Sequence, residues 1–333
     1  MSQPSEPALR VGLTFNLKRS SSIDEAEFDS PATIAAITAA LESFGHTVVP
    51  LEANAGLPRA LVEARPDIVF NFAEGFRGRS REAQVPALLE MLGIPYTGSD
   101  PLTLASCHDK SFAKLILNAA GIATPTGQAL ETGDEPLVPL RYPVIVKPNA
   151  EGSSKGIGGA SVVFDEASAR AAARALIDRF EGSALIEEYI CGRELTVGLL
   201  GDPTPRVLPP LETVFLDRRP YPVLGYDEKA DFMPTMRFDC PADLTQDERE
   251  RVEQAAHGTF VALRCRDVAR IDLRLAEDGT VYVIECNGIP GLTPDFSMMC
   301  LIARAAGLDF RGLVGEILAG CLHRRRGREA RTR

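Results

Sequence analysis

Short β-branched and aromatic runs alternate along the chain with Ala- and Leu-rich stretches of helical period, the pattern of βα units around a largely parallel core sheet. Near the N-terminus, Arg10–Phe15 predicts a strand, Pro31–Phe44 a helix closed by Gly45, Thr47–Pro50 a second strand and Asp67–Asn71 a third. These elements predict a Rossmann-like open sheet over about residues 8–100. Downstream, Phe112–Ala119 reads as a helix ended at Gly121, and Val144–Val146 as a buried strand entering a glycine-rich loop. A Pro- and Tyr-rich segment, Thr204–Pro241, precedes a hairpin and further helices, and no repeat is evident. The chain divides into 1–103, 104–187 and 188–322, followed by a basic tail, 323–333. That tail, with six arginines, is expected to be solvated and frayed, or else to touch an anionic partner.

Composition narrows the function classes. At 333 residues and 45% hydrophobic content the chain can bury more than one core. A net charge of −10 disfavours sequence-independent nucleic-acid binding. No apolar run approaches the roughly 20 residues of a membrane span, and the first residues lack a signal-peptide pattern, so a cytoplasmic protein is expected. The seven cysteines are scattered, without Cys-x-x-Cys, and read as small buried hydrophobes rather than a disulfide or zinc framework.

Lys147–Gly159 follows the buried strand and combines glycines, the hydroxyls of Ser153 and Ser154, and two lysines, the components of a phosphate cradle. Lys147 closes an apolar strand, a costly place for a cation without an anion beside it. Gly152–Gly158 also fits the G-x-x-x-G-x-G turn of short-chain dehydrogenases. That reading is opposed by the mid-chain position and by the absence of a tyrosine followed four residues later by lysine. No Walker-type loop occurs.

A metal site follows from hairpin register. Val268–Leu275 and Thr280–Asn287 are strand-like and joined through Asp278-Gly279, a two-residue turn signal. Pairing outward from that turn sets Asp272 opposite Glu285 and Arg270 opposite Asn287, all on one face. Opposed carboxylates about 5 Å apart repel, so something cationic should sit between them. The oxygen donors of Asp272, Glu285 and Asn287 select a hard cation such as Mg²⁺.

A phosphate loop after a strand, followed by a carboxylate/Asn hairpin, resembles the ATP-grasp ligases, and the sequence is similar to their D-alanine–D-alanine ligase branch. The resemblance runs through Gly93–Ser99, His108-Asp109-Lys110 with Lys114, Val146-Lys147-Pro148, Glu151–Ser154, Glu187–Ile190, Gly192-Arg193-Glu194, Cys240-Pro241-Ala242, Arg270-Ile271-Asp272 and Glu285–Asn287 to Thr293. It implies an α/β ATP-grasp fold: a Rossmann-like N-terminal domain, a central ATP-grasp subdomain and a C-terminal α+β subdomain.

The resemblance further implies ATP as cofactor. Lys110 and Lys147 would contact the α- and β-phosphates, and the Ser153–Ser154 loop would close over them. Glu187, Tyr189 and Ile190 would read adenine, and Glu194 the ribose. Asp272, Glu285 and Asn287 would hold two Mg²⁺ ions, with Mn²⁺ as an alternative. Lys229 would reach the γ-phosphate, Arg270 and the Gly291 amide would stabilise an oxyanion, and Glu27 would bind the first substrate's amino group. The expected activity joins a carboxylate to an amine through an acylphosphate, with small amino acids or related acids and amines as substrates, in a homodimer that needs neither nucleic acid nor membrane.

Departures from the family pattern cluster on the substrate side. Phe72-Ala73-Glu74-Gly75 stands where a His-Gly is usual, and the tyrosine of the substrate-side loop is replaced at Ala230 or Asp231. Phe15–Arg19 replaces an N-terminal Gly-Gly turn, and Ser297 falls one residue late. The alternatives to a ligase are a non-catalytic ATP-binding or regulatory module and an NAD-dependent oxidoreductase.

Overall fold

A computed structural model describes residues 8–331 except 203, 218 and 226–234, so Lys229, Ala230 and Asp231 lie outside the described residues. Strands Arg10–Phe15 (β1), Thr47–Glu52 (β2) and Ile68–Asn71 (β3) pair in parallel, as the N-terminal pattern predicts, and the structure sets their order as β2-β1-β3. Helix Pro31–Glu42 (α1) begins where Ser30 accepts the Thr33 N–H ahead of a first-turn proline. It ends three residues before Gly45, whose φ of +87° lets the chain turn into β2. Helices Leu57–Ala64 (α2) and Gln84–Met91 (α3) follow in the same unit. The sheet is buried on both sides: Val11, Leu13 and Phe15 pack into one apolar cluster, and Leu51 and Val69 join Leu61 and Leu89 in another.

Helices Pro101–His108 (α4) and Lys110–Ala119 (α5) lead into strands Gly127–Leu130 (β4), Val144–Pro148 (β5) and Val162–Val163 (β6), helix Glu166–Phe180 (α6) and strand Ala184–Glu188 (β7). The Asp109 side chain caps α5, so this helix starts two residues earlier than its hydrophobic pattern predicts and carries Lys110 in its first turn. The expectation of a largely parallel sheet fails beyond the N-terminal unit. The order here is β4-β7-β5-β6 and every pairing is antiparallel. β6 and β7 run in one direction on either side of β5, so α6 does make a crossover, but a strand of opposite direction is inserted between its ends. Local pattern reports the crossover and not the insertion.

The third sheet holds Arg193–Leu200 (β8), Arg206–Val207 (β9), Leu211–Phe215 (β10), Met236–Asp239 (β11), Val268–Leu275 (β12) and Val281–Asn287 (β13), again antiparallel, in the order β11-β10-β8-β12-β13 with β9 beside β8. Helix Gln246–Ala262 (α7), opened by a Thr245/Glu248 capping box, covers one face through Val252, Ala256 and Phe260. Helices Met298–Ala305 (α8) and Phe310–Arg331 (α9) tie this sheet to the N-terminal one through Met299, Ile302, Leu313 and Ile317.

Two expectations need correction. The basic tail is not frayed from residue 323, because α9 continues to Arg331 and Arg324 grips the fully buried Asp267 with its two terminal guanidinium nitrogens, at 2.5 and 2.7 Å. Of the seven cysteines, Cys191 is exposed and Cys240 only half-buried, whereas the other five are core residues. No helix among the described residues is long and apolar enough to cross a membrane.

Candidate active site

A cleft opens between the central and C-terminal sheets. It is lined by Lys110 from α5, Lys147 from β5, Ser153 and Ser154 from the glycine loop, and Glu187, Tyr189 and Ile190 from β7 and its exit. Across the cleft stand Glu194 from β8, Arg270 and Asp272 from β12, Glu285 and Asn287 from β13, and Gly291 after it. Residues scattered over 180 positions thus share one wall or the other. Ser153 and Ser154 take left-handed backbone angles, φ 49° and 57°, so the loop after β5 curls tightly.

The hairpin register at the site is as predicted, for a reason the sequence argument missed. Arg270 pairs with Asn287 and Asp272 with Glu285. Nearer the turn, however, Leu275 pairs with Val281 and Leu273 with Val283, one step out of that register. The connection is a three-residue loop, Glu277–Gly279, closed by Ala276 N–H to Thr280 O and Gly279 N–H to Ala276 O. A bulge after Asp272, with Ile284 as the extra residue, restores the offset. The longer turn and the bulge cancel.

Each carboxylate already carries a cation from the chain. Arg270 donates to Asp272 at 3.1 and 2.8 Å, Thr196 Oγ1 donates at 2.9 Å and the Asn287 amide at 3.0 Å. Lys110 lies 2.9 Å from Glu285. Burial pushes the Glu285 carboxyl up, but Lys110 and Lys147 outweigh it and hold it at about 2. Two carboxylates and an amide oxygen on one face, one of them firmly ionised, fit a hard divalent cation.

Lys147 finds its anion inside the protein: its Nζ is 2.5 Å from Glu187 Oε1, and Lys114 reaches the other oxygen at 3.1 Å. All three side chains are buried. Burial lowers the Lys114 ammonium to about 8 against the pull of Glu187, while the two lysines hold Glu187 below its ordinary value despite its burial. At the far end of the cleft, Glu194 pairs directly across the sheet with Arg274, 2.5 Å apart. Arg274 also donates to the Tyr189 hydroxyl at 3.1 Å and to Pro222 O at 2.8 Å. Sequence reasoning passed over Arg274, although it continues the two-residue alternation of Arg270 and Asp272 along β12 and was findable from that period.

Glu27 is not brought to the cleft wall. Its carboxylate is taken by Arg81 at 2.8 Å and Lys155 at 2.7 Å, and both cations also bind Glu151, at 3.1 and 2.6 Å. Burial raises its pKa, but the two cations prevail and leave it at about 2. A Cβ at Gly152 would lie 2.1 Å from Glu27 Oε1, so glycine is what lets the loop seat here. Glu74 faces the same cluster, and burial together with Glu27, Glu82 and Asp29 pushes its carboxyl well up. Nothing in the spacing of Arg79-Ser80-Arg81 announced this role for Arg81.

A cleft gripped between two antiparallel sheets, with lysines on one side and a carboxylate hairpin on the other, is the arrangement expected of an ATP-grasp ligase. Residues 117–319 match the family model described as D-ala D-ala ligase C-terminus. The chain is 36% identical over 289 residues to the D-alanine–D-alanine ligase of Desulforudis audaxviator, covering 85% of this chain and 90% of that one. It is also 36% identical over 297 residues to the uncharacterized protein y4sG of Sinorhizobium fredii, with 87% of each covered. The crystal structure of the Bacillus anthracis D-alanine–D-alanine ligase complexed with ATP superposes with a TM-score of 0.75 at 28% identity, covering 96% of this chain and all of that one. The chain belongs to the D-alanine–D-alanine ligase family. It is an ATP-dependent, amide-forming ligase, and neither a binding-only module nor an oxidoreductase is favoured.

Proposed function

We propose that the enzyme joins the carboxylate of one small amino acid to the amine of a second, with D-alanine, the substrate in the names of its relatives, as the reference for both positions. The observation carrying this reading is the placement of Lys110, Lys147, Arg270, Asp272, Glu285 and Asn287 around one cleft. Asp272, Glu285 and Asn287 would hold two Mg²⁺ ions, or Mn²⁺, which supply charge neutralisation at the transferring phosphoryl group. Lys110 and Lys147 steady the α- and β-phosphates, Ser153 and Ser154 cover them, and Lys229 reaches the γ-phosphate. Glu187, Tyr189 and Ile190 seat adenine, and Glu194 the ribose.

A carboxylate is a poor electrophile. Phosphorylation of one of its oxygens, with ADP leaving, gives an acylphosphate that the second amine attacks, and phosphate then departs. Arg270 and the Gly291 amide stabilise the oxyanion formed in that attack. A homodimer in the cytoplasm, with residues 1–103 forming the substrate-side unit, completes the proposal.

Incubation with ATP, Mg²⁺ and D-alanine, alone and against a panel of amino acids, tests it by phosphate release and product mass. Absence of any amino-acid-dependent ADP formation would refute it. Glu74 and Glu27 replace or occupy the groups expected around the substrates, so Glu74→His should shift product preference within the panel while leaving the Michaelis constant for ATP unchanged. An unaltered preference would remove Glu74 from specificity.

A further inference from the structure

Both lysines assigned to the nucleotide's phosphates pair with carboxylates, Lys110 with Glu285 at 2.9 Å and Lys147 with Glu187 at 2.5 Å. A lysine that swings toward a phosphate loosens its hold on its carboxylate, and a bare buried carboxylate is strongly disfavoured. The two cases differ. Glu285 belongs to the face that would hold a divalent cation, and such a cation would take the place of Lys110 there. Glu187 sits on the central sheet, with both its carboxylate oxygens facing lysines. Its second lysine, Lys114, does not line the cleft with Lys110 and Lys147. Its Nζ is anchored behind the cleft wall by the carbonyls of Ile284 at 3.2 Å and Val283 at 3.4 Å, and its side chain is 8% exposed.

We infer that Lys114 is a positioning residue that keeps Glu187 neutralised when Lys147 turns from it to the nucleotide's phosphates. The inference rests on the ATP reading of the cleft. Lys114 touches neither phosphate nor metal. It acts by making Lys147 available, because three charges in a row, Lys114–Glu187–Lys147, allow one cation to leave without stranding the anion. With Lys114 gone, Glu187 would hold Lys147 in place.

The test is calorimetric binding of MgATP and of adenosine to the purified full chain and its variants. Lys114→Met should weaken MgATP binding by roughly 10- to 100-fold, the worth of one charge-assisted phosphate contact. Adenosine affinity should stay unchanged, since Glu187 itself remains held by Lys147. Introduced into Glu187→Gln, the same change should have no effect on MgATP, and this pair keeps the test open if Lys114→Met alone fails to fold. Equal losses for MgATP and adenosine, a further loss when Lys114→Met is added to Glu187→Gln, or native MgATP affinity in Lys114→Met would each overturn the inference. A native chain that binds no MgATP would overturn the ATP reading itself, which none of the variant outcomes does.

Discussion

Replacing Glu285 with Gln removes one negative charge from the metal-binding face at almost constant shape. Holding this carboxyl at about 2 rather than its ordinary 4.5 corresponds to about 3 kcal/mol of interaction in the folded state. The side chain is 25% exposed, so little of that is screened away. Glu285→Gln should therefore lower the melting temperature at neutral pH by roughly 5 °C. The sign with pH follows from the depressed value: the stabilisation is fully present above the unfolded carboxylate's pKa and is lost as pH falls through about 2. Native and variant melting curves should accordingly converge as the medium is acidified. Turnover should fall far more than stability, by roughly a hundredfold or more, because an amide retains an acceptor oxygen but not the charge a hard cation requires. ADP formation across a Mg²⁺ titration, on variant shown to be folded by its melting curve, is the assay. Near-native turnover at native Mg²⁺ concentrations would show that Glu285 merely partners Lys110 and that the metal assignment is wrong.

Lys147→Ala should weaken MgATP binding by about tens to a thousandfold in calorimetry, since it removes a buried cation aimed into the cleft; unchanged affinity would return Lys147 to a purely structural pairing with Glu187. Asp29 is buried and pushed up by that burial to about 8, so its contribution to stability is present below the ordinary carboxyl value of 3.8 and is lost as pH rises through 8. Asp29→Asn should therefore stabilise the chain in urea unfolding at pH 8 by up to a few kcal/mol, with little difference at pH 4; an equal effect at both would refute the buried neutral carboxyl.

Where chemistry and local period coincide, the sequence was readable. Strand β12 was delimited to the residue, and its alternation of Arg270 and Asp272 with apolar partners put the charged side chains on one face. Less was readable wherever a distant partner decides the outcome. The site register survived only because the bulge at Ile284 offset an extra turn residue, and neither is marked by a distinctive local residue pattern. Strand direction in the central sheet depends on what inserts between β6 and β7, which helical period cannot report. Lys147 demanded an anion, as its apolar surroundings indicate, but the sequence offered phosphate while the fold supplies Glu187 as well. Arg324 read as one of six tail arginines because its partner, Asp267, is 57 residues away.

The two ion networks differ in what they are built to do, and Arg81 shows it. The cleft lysines line the cleft beside carboxylates and can exchange partners. Arg81, with its side chain 10% exposed, instead binds Glu27, both oxygens of Glu151 and the Ala150 carbonyl at 3.0 Å, joining the N-terminal unit to the glycine loop from behind. That loop carries Ser153 and Ser154 in left-handed geometry, so its position depends on a fixed anchor rather than on its own stiffness. Arg81→Met would leave Glu27 and Glu151 sharing Lys155 alone, an uncompensated buried charge worth about 3–5 kcal/mol. Arg81→Lys should recover only part of this, because a single ammonium cannot span the separate acceptors that the planar guanidinium reaches. Limited proteolysis reads the loop directly: cleavage within residues 150–158 should accelerate in Arg81→Met, and adding Glu27→Gln should partly restore protection by removing one of the stranded charges. Loop cleavage that stays at the native rate while the melting temperature falls would mean that Arg81 stabilises the fold without anchoring the loop.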